Sequence, residues 1–265
     1  MADSGAPKRI KLNTYDGEIC RLITCLPTEI LEEIASKVAS QSLADLYHLK
    51  LTCKEMMSIT DKDYVYKHAS LDRVPFFRSP EIPQEASFLK RCRLSGNLES
   101  LYRKGMEAYL MNYELYEEGL GMVRMAAQNQ HKRSMYAFAM VVLLMWRSGR
   151  IGNLWTEEFG EALGYLRFLR NHKCVLECRN QVAEFVRRGN MCCFVAQLPI
   201  KSLCCNFPCK NTWRLKIGSW FFETEDDDEN DPNMCENCRW DHEVEEFSAN
   251  VLNISVSDLP YLRHP

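Results

Sequence analysis

A long stretch without proline constrains this chain more than any other feature of its sequence. Residues 88–190 contain no proline. Every residue in this stretch therefore has the backbone N–H that an α-helix uses. The pattern Leu/Met-Tyr-x-x-Gly/Ala-Met occurs at residues 101–106 and again 34 residues later, at 135–140. The pattern Leu-Gly-x-x-Arg occurs at 120–124 and again 43 residues later, at 163–167. A period in the mid-thirties predicts stacked helix pairs with an insertion in the second pair.

The composition is that of an ordinary globular protein. Hydrophobic residues make up 46% of the chain and charged residues 26%, which excludes a wholly disordered chain. The longest apolar run, Met135 to Trp146, is shorter than the 20 or so residues of a membrane span, so we expect a buried helix and no membrane partner. Residues 1–12 lack the apolar core of a secretory signal. The 13 cysteines are therefore expected to be thiols or metal ligands in a reducing compartment.

Residues 24–70 contain three predicted helices. The first begins at Leu26-Pro27, since proline is tolerated in a first helical turn. Ser42, with Asp45 three residues later, is a capping signal for the second. The third is predicted at Asp61–His68. A module of about 45 residues is marginal alone, so it gains either from a partner or from packing on the rest of the chain.

The order of residues in this block resembles an F-box. The residues are Leu-Pro-x-Glu-Ile-Leu-x-x-Ile at 26–34, Ser-Leu-x-Asp-Leu at 42–46 and Leu-Lys-Leu-Thr-Cys-Lys-x-Met at 49–56. Residues 64–72, Tyr-Val-Tyr-Lys-His-Ala-Ser-Leu-Asp, are similar to the end of the F-box in a plant family of F-box proteins. Members of that family continue with helical repeats and a Cys/Trp-rich tail, so the resemblance covers residues 24–247.

The resemblance implies a docking surface. An F-box binds the Skp-type adaptor of a cullin ubiquitin ligase through an apolar face, which is helix-in-groove recognition. By position, the adaptor-binding residues would be Leu26, Pro27, Ile30, Leu31, Ile34, Leu43, Leu46 and Leu49. The alternative is that several of them, such as Leu46 and Leu49, form the core of the module, because apolar periodicity does not identify the partner.

The repeat period is typical of a tetratricopeptide-like or Sel-one-like array. Such arrays present concave surfaces to proteins and peptides. The candidate substrate-binding residues are the basic side chains Arg103, Lys104, Arg124 and Arg167. The alternative is a solvated helix face, since most charged side chains are simply exposed.

A cysteine cluster near the end of the chain predicts a metal site. Cys235 and Cys238 have the C-x2-C spacing that brings two sulfurs to one zinc ion. The four predicted ligands are Cys205, Cys209, Cys235 and Cys238, with Cys204 and His242 as alternates. The acidic run Glu223–Asp231 between the two pairs is predicted to be a solvated loop. The alternative is that the thiols are buried apolar groups.

The sequence thus predicts a mainly α-helical chain that contains F-box helices, a helical repeat array and a small Cys-rich segment. A structural zinc ion is the candidate cofactor that would stabilise this segment. The predicted order is a basic tail (1–22), the F-box (24–70), a linker with three prolines (72–87), the repeat region (88–190), a Cys/Trp-rich segment (191–247) and a tail (248–265).

The predicted function is that of a non-enzymatic substrate receptor of an SCF-type (Skp–cullin–F-box) ubiquitin ligase, with a Skp-type adaptor, a cullin and an unknown protein substrate as partners. No phosphate-binding loop or catalytic motif is recognisable.

The basic run Pro7–Leu12 resembles a nuclear-import signal, so we expect the protein to reside in the nucleus, the cytoplasm or both. The alternative is a zinc-containing nuclear nucleic-acid-binding or transcriptional cofactor, against which the acidic run argues. Direct recruitment of a ubiquitin-carrying enzyme is disfavoured, because the ligands are too few for two zinc ions.

Overall fold

The computed structural model describes residues 26–76, 82–111, 114–149, 156–188, 202–204 and 235–251. These residues form eleven α-helices and, within these ranges, no strand, which confirms the predicted mainly α-helical class. The chain divides into two compact units. The N-terminal unit takes in Pro83–Asn97 and the described residues up to Arg73, and the repeat unit takes in Val74–Ile82 and the described residues from Leu98 onward.

The N-terminal unit contains five short helices. They are α1 (Thr28–Gln41), α2 (Leu43–Lys50), α3 (Lys54–Thr60), α4 (Asp63–His68) and α5 (Pro83–Leu94). The Ser42 hydroxyl accepts the N–H of Asp45 at 3.2 Å, so the capping signal of α2 is confirmed. The second predicted helix is in fact two, because the Thr52 hydroxyl donates to the Leu49 carbonyl at 2.7 Å and the Cys53 backbone is extended.

A buried amide that follows α5, that of Asn97, helps to join this helix to the unit. The Asn97 side chain is 3% exposed, and it donates to the carbonyls of Tyr66, Lys67 and Ala69 at 2.9–3.1 Å. These carbonyls lie at the end of α4, where a helix leaves backbone acceptors without internal partners. The end of the predicted linker, residue 87, falls inside α5.

The repeat unit is built from helix hairpins. Its helices are α6 (Leu98–Met111), α7 (Tyr116–Gln128), α8 (Lys132–Arg147), α9 (Thr156–Asn171), α10 (Val175–Arg188) and α11 (Glu236–Glu246), the last continued by a π-helical turn (Phe247–Val251). Helix α8 begins 34 residues after α6, and α10 begins 43 residues after α8. The 34-residue motif offset is thus the spacing of α6 and α8, whereas the motif with the 43-residue offset lies in α7 and again in α9. The π-helical turn contacts α10, and its Ser248 and Val251 are buried.

Helix α8 is the centre of the repeat unit. Every residue from Ser134 to Met145 is buried, which confirms the prediction of a buried helix. Helices α7, α9, α10 and α11 all contact it. Among the described helices, none has the length and apolar character that crossing a membrane requires.

Candidate functional site

Helix α1 carries two apolar stripes, because residues four apart lie on the same helix face. The buried stripe, at most 1% exposed, is Leu31, Ala35 and Ala39. The second stripe begins just before the helix, and its members Leu26, Ile30 and Ile34 are 40%, 48% and 42% exposed. We call Leu26, Ile30 and Ile34 the exposed stripe. One stripe holds the N-terminal unit together, and the other faces solvent.

The eight predicted adaptor-binding residues therefore separate by burial. Leu26, Pro27, Ile30 and Ile34 are exposed, and Leu43 and Leu49 are half-buried. Leu31 and Leu46 are 1% and 5% exposed, so they pack inside the unit and offer no surface to a partner. Of the two leucines singled out as alternative core residues, Leu46 is buried and Leu49 only half so. Adaptor binding itself stays a prediction.

Tyr64 lies beside α1, and sequence periodicity did not single it out for this surface. Its ring is 40% exposed, and its hydroxyl donates to the Glu33 carboxylate at 2.6 Å. That hydrogen bond raises the pKa of Tyr64. No sequence signal marked the contact, because Glu33 and Tyr64 are 31 residues apart on different helices.

Two of the four candidate substrate-binding residues are engaged inside the repeat unit. Arg103 is 7% exposed; it donates to Glu99 at 2.7 Å and to the Val74 carbonyl at 2.8 Å. Arg124 donates to Glu161 at 2.9 and 3.1 Å and to Glu158 at 2.8 Å. Arg103 is therefore buried and paired within the repeat unit, and Arg124 joins α7 to α9.

The other two candidates are exposed but paired. Lys104 donates to Glu107 on the same helix at 2.9 Å. Arg167 is 56% exposed and pairs with Glu236 of α11 at 3.0 Å. Substrate binding by these four basic residues stays a prediction.

Three cysteines come together at the start of α11. The sulfurs of Cys204, Cys235 and Cys238 all lie within 4.8 Å of one another, and those of Cys204 and Cys235 are 3.8 Å apart. Two thiolates on one tetrahedral zinc ion, each about 2.3 Å from the metal, are separated by about 3.8 Å. Cys235 caps α11, and its sulfur accepts the N–H of Cys238 at 3.3 Å. The cysteine group (Cys204, Cys235 and Cys238) could therefore hold a metal ion.

The ligand set differs from the predicted one. Cys204, an alternate, belongs to the group, whereas the alternate His242 does not, although it is buried one turn beyond Cys238. Cys205 and Cys209 lie outside the described residues, as do Glu223–Asp231 and Pro7–Leu12.

One carboxylate holds Cys204 beside α11. The Asp241 side chain accepts the N–H of Leu203 at 2.9 and 3.0 Å, the N–H of Cys204 at 3.2 Å and the hydroxyl of Ser202 at 2.6 Å. It also pairs with Arg147 Nε at 3.2 Å, while Arg147 donates to the Asp241 carbonyl at 2.6 Å. The backbone of residues 202–204 and the last residue of α8 thus meet at Asp241.

A second carboxylate of α11, Glu243, lies in the core. It is 0% exposed and accepts two hydrogen bonds from Arg179, at 2.6 and 2.9 Å, and one from the Tyr136 hydroxyl at 2.6 Å. Burial and the Glu243 charge raise the pKa of Tyr136. Sequence analysis did not identify Arg179 as a buried residue. However, it is the fifth residue of α10, as Tyr136 is of α8 and Tyr102 of α6, and this shared register could have indicated burial.

Parts of the chain are similar to known plant proteins. Residues 71–187 match the family model of plant tetratrico peptide repeats. The chain is 29% identical over 140 residues (53% of this chain) to At1g67623 and 28% identical over 132 residues (49% of this chain) to At2g35280, both named as F-box proteins of Arabidopsis thaliana. The alignments span 46% of the first relative, about half its length, and 78% of the second. No solved structure matches the chain.

These relatives, the repeat match and the stacked helix pairs agree with the family that the sequence resembles. The chain is thus similar to plant F-box proteins and, over residues 71–187, to plant tetratricopeptide-like repeats, and these likenesses support the family that the sequence resembles.

Proposed function

We propose that the chain is the substrate receptor of an SCF-type ubiquitin ligase. The N-terminal unit would bind a Skp-type adaptor, and the repeat unit would bind a protein target. The observation that carries the proposal is the exposed stripe of Leu26, Ile30 and Ile34, which lies next to a buried stripe on the same helix. An apolar stripe that is left to solvent at helical spacing suits the groove of a partner.

The chain would contribute proximity rather than chemistry. Holding a target beside the ubiquitin-carrying partners raises the effective concentration of its lysines, and the partners perform the transfer. The exposed stripe supplies anchors of the kind that dominate binding energy at helix-in-groove interfaces. Truncating one such anchor commonly costs more than about 1 kcal/mol of binding free energy.

The test is calorimetry with a plant Skp-type adaptor. We expect the purified chain to bind, and the variant Ile30→Ala/Ile34→Ala to bind about 100-fold more weakly. The matched control is Met111→Ala/Met125→Ala, which truncates two similarly exposed apolar side chains of the repeat unit and should leave the affinity unchanged. A folded chain that does not bind the adaptor, or a stripe variant that binds like the original chain, would contradict the proposal.

We also propose that the metal of the cysteine group is a structural zinc ion. Thiolates are the ligands that zinc prefers, and the 3.8 Å between two of the sulfurs fits a shared tetrahedral ion. Protein purified without chelators should contain zinc by mass spectrometry of metals. The variant Cys235→Ser/Cys238→Ser should lose it, and Cys53→Ser, at a half-buried thiol of the other unit, should keep it. A wild-type chain without bound zinc would refute this proposal and leave the adaptor proposal untouched.

For localisation, we propose residence in the nucleus, the cytoplasm or both, on the basic run at residues 7–12. A fluorescent fusion whose nuclear fraction is unchanged by Lys8→Ala/Arg9→Ala would remove the support from that run.

A further inference from the structure

Asp241 connects the cysteine group to the repeat unit. Two of the three cysteines, Cys235 and Cys238, are held by the first turn of α11. The third, Cys204, lies in the three-residue segment 202–204, which is not part of a helix. The position of its sulfur therefore depends on what holds the backbone of that segment, and Asp241 accepts hydrogen bonds from all three residues of it.

The same carboxylate is fixed from its other side by a buried charge. Arg147, 5% exposed at the end of α8, contacts both the side chain and the carbonyl of Asp241 and also pairs with Glu245 at 2.6 Å. A buried guanidinium requires its carboxylate partners, because an uncompensated charge is costly in the interior. Arg147 thereby holds Asp241 in the orientation that receives residues 202–204.

We propose that Asp241 is the positioning residue of the metal site, and that through Arg147 it couples zinc binding to the stability of the repeat unit. This inference rests on the zinc ion proposed above. Asp241 does not touch the metal: it orders the ligand Cys204 before the metal arrives. Groups that hold metal ligands in place contribute to affinity, and their loss typically weakens metal binding by about 10–100-fold.

The coupling must act in both directions. If ordered residues 202–204 favour zinc binding, bound zinc favours the ordered segment by the same factor. Zinc should therefore stabilise the contacts of Asp241 with α8, and removing zinc should loosen α11 as well as the three cysteines.

The first experiment measures zinc affinity by competition with a chromophoric chelator. Asp241→Asn keeps the shape of the side chain but replaces one acceptor oxygen with a donor and removes the charge. We expect its zinc affinity to fall by about 10–100-fold, with a changed cobalt(II) absorption spectrum, since cobalt reports the geometry of the thiolates. The matched control is Glu236→Gln, which removes a partly exposed carboxylate from the first turn of the same helix and should change neither readout.

The second experiment compares thermal unfolding with and without zinc. The wild-type chain should gain a higher midpoint on adding zinc, and Asp241→Asn should gain clearly less at the same zinc concentration. If wild-type protein binds no zinc, both the zinc proposal and this inference fail. If wild-type protein and folded Asp241→Asn bind zinc equally tightly, the inference alone is overturned and the zinc site stands.

A less disruptive substitution tests the positioning role of Asp241 if Asp241→Asn does not fold. Ser202→Ala removes only the hydroxyl that donates to Asp241 at 2.6 Å and accepts the Cys204 N–H at 3.1 Å. We expect this folded variant to bind zinc about five-fold more weakly. An unchanged affinity would overturn the inference.

Discussion

The carboxylate of Glu243 connects three helices of the repeat unit, α8, α10 and α11. Its carboxylate is the shared acceptor of Arg179 and Tyr136, which come from α10 and α8. The positions of Arg179 and Tyr136 could be predicted as buried from their common register, but the acceptor could not. Glu243 is 64 and 107 residues away from them, and nothing in the local sequence specifies a partner at that distance.

Replacing Glu243 with glutamine should strongly destabilise the repeat unit. The variant removes the negative charge that pairs with the buried Arg179 guanidinium, 2% exposed, so we expect the free energy of unfolding to fall by about 3–5 kcal/mol. Urea denaturation followed by circular dichroism measures this loss. The control Glu184→Gln breaks an exposed pair with Arg188 and should change stability by less than about 1 kcal/mol. A loss in the first variant as small as in the control would refute the network's role.

Glu99 should make the repeat unit sensitive to acid. Burial raises the pKa of Glu99, but the His131 hydrogen bond and the charges of Arg103 and Arg133 outweigh it and lower the pKa below the ordinary 4.5. The contribution of Glu99 to stability is therefore fully present above pH 4.5 and is lost as the pH falls through the lowered value.

The variant Glu99→Gln tests this pH dependence. It should be less stable at pH 7 by about 2–4 kcal/mol, because the two arginines lose their shared carboxylate. It should also lose less stability than the wild-type chain between pH 5 and pH 3 in urea titrations. The exposed Glu118→Gln, on α7, should follow the wild-type pH profile. Parallel profiles for wild type and Glu99→Gln would show that another group carries the acid sensitivity.

At the scale of helices, sequence periodicity predicted which segments are helical and buried, but not every point at which a helix ends or contacts its neighbour. The cap of α2 and the burial of α8 follow from local pattern, because each depends on residues within one element, and the spacing of α6 and α8 follows from the repeated motif. The break between α2 and α3 depends on the Thr52 hydroxyl competing for a backbone carbonyl, which hydrophobic spacing does not record. Helices α6 and α7 approach most closely where Gly105 lies against Gly119.

Gly119 and Gly121 provide a matched pair of tests for that contact. A Cβ on Gly119 would lie 2.6 Å from the Gly105 carbonyl oxygen and 2.6 Å from the Tyr109 nitrogen, and both are backbone atoms that cannot rotate away. Gly119→Ala should therefore push α6 and α7 apart and cost about 3 kcal/mol. A Cβ on Gly121 would meet nothing within 4 Å, so Gly121→Ala should gain up to about 1 kcal/mol from helix propensity. Thermal midpoints that shift alike would contradict the close contact.

At the scale of the whole molecule, the order of the parts was predictable and their assembly was not. The C-x2-C spacing identified Cys235 and Cys238, since a tight turn is a local property. Which further thiol joins them depends on how residues 202–204 return to α11, and the Asp241 contacts that arrange this span 37–39 residues. Likewise, prolines indicated a break near residue 80, but they do not show that α5 packs with the helices before the break, which the contacts of Asn97 and Phe88 establish.

The division into two units predicts that the F-box part is separable. A fragment of residues 1–97 contains every described element of the N-terminal unit, including the Lys50–Asp61 ion pair at 2.6 Å and the three carbonyl contacts of Asn97. We expect this fragment to be helical, to unfold cooperatively, and to bind a Skp-type adaptor within about threefold of the affinity of the full chain, because the exposed stripe lies wholly within it.

A shorter fragment provides the control. Residues 1–76 keep the exposed stripe but lose α5, so the carbonyls at the end of α4 lose Asn97, and Tyr66 loses its ring contact with Phe88 at 5.8 Å. We expect this fragment to lose cooperative unfolding, since a core so small lacks its remaining support. Circular dichroism in urea and calorimetry with the adaptor distinguish the two fragments. Adaptor binding that requires residues beyond 97 would mean that the repeat unit takes part in docking and is not reserved for the target.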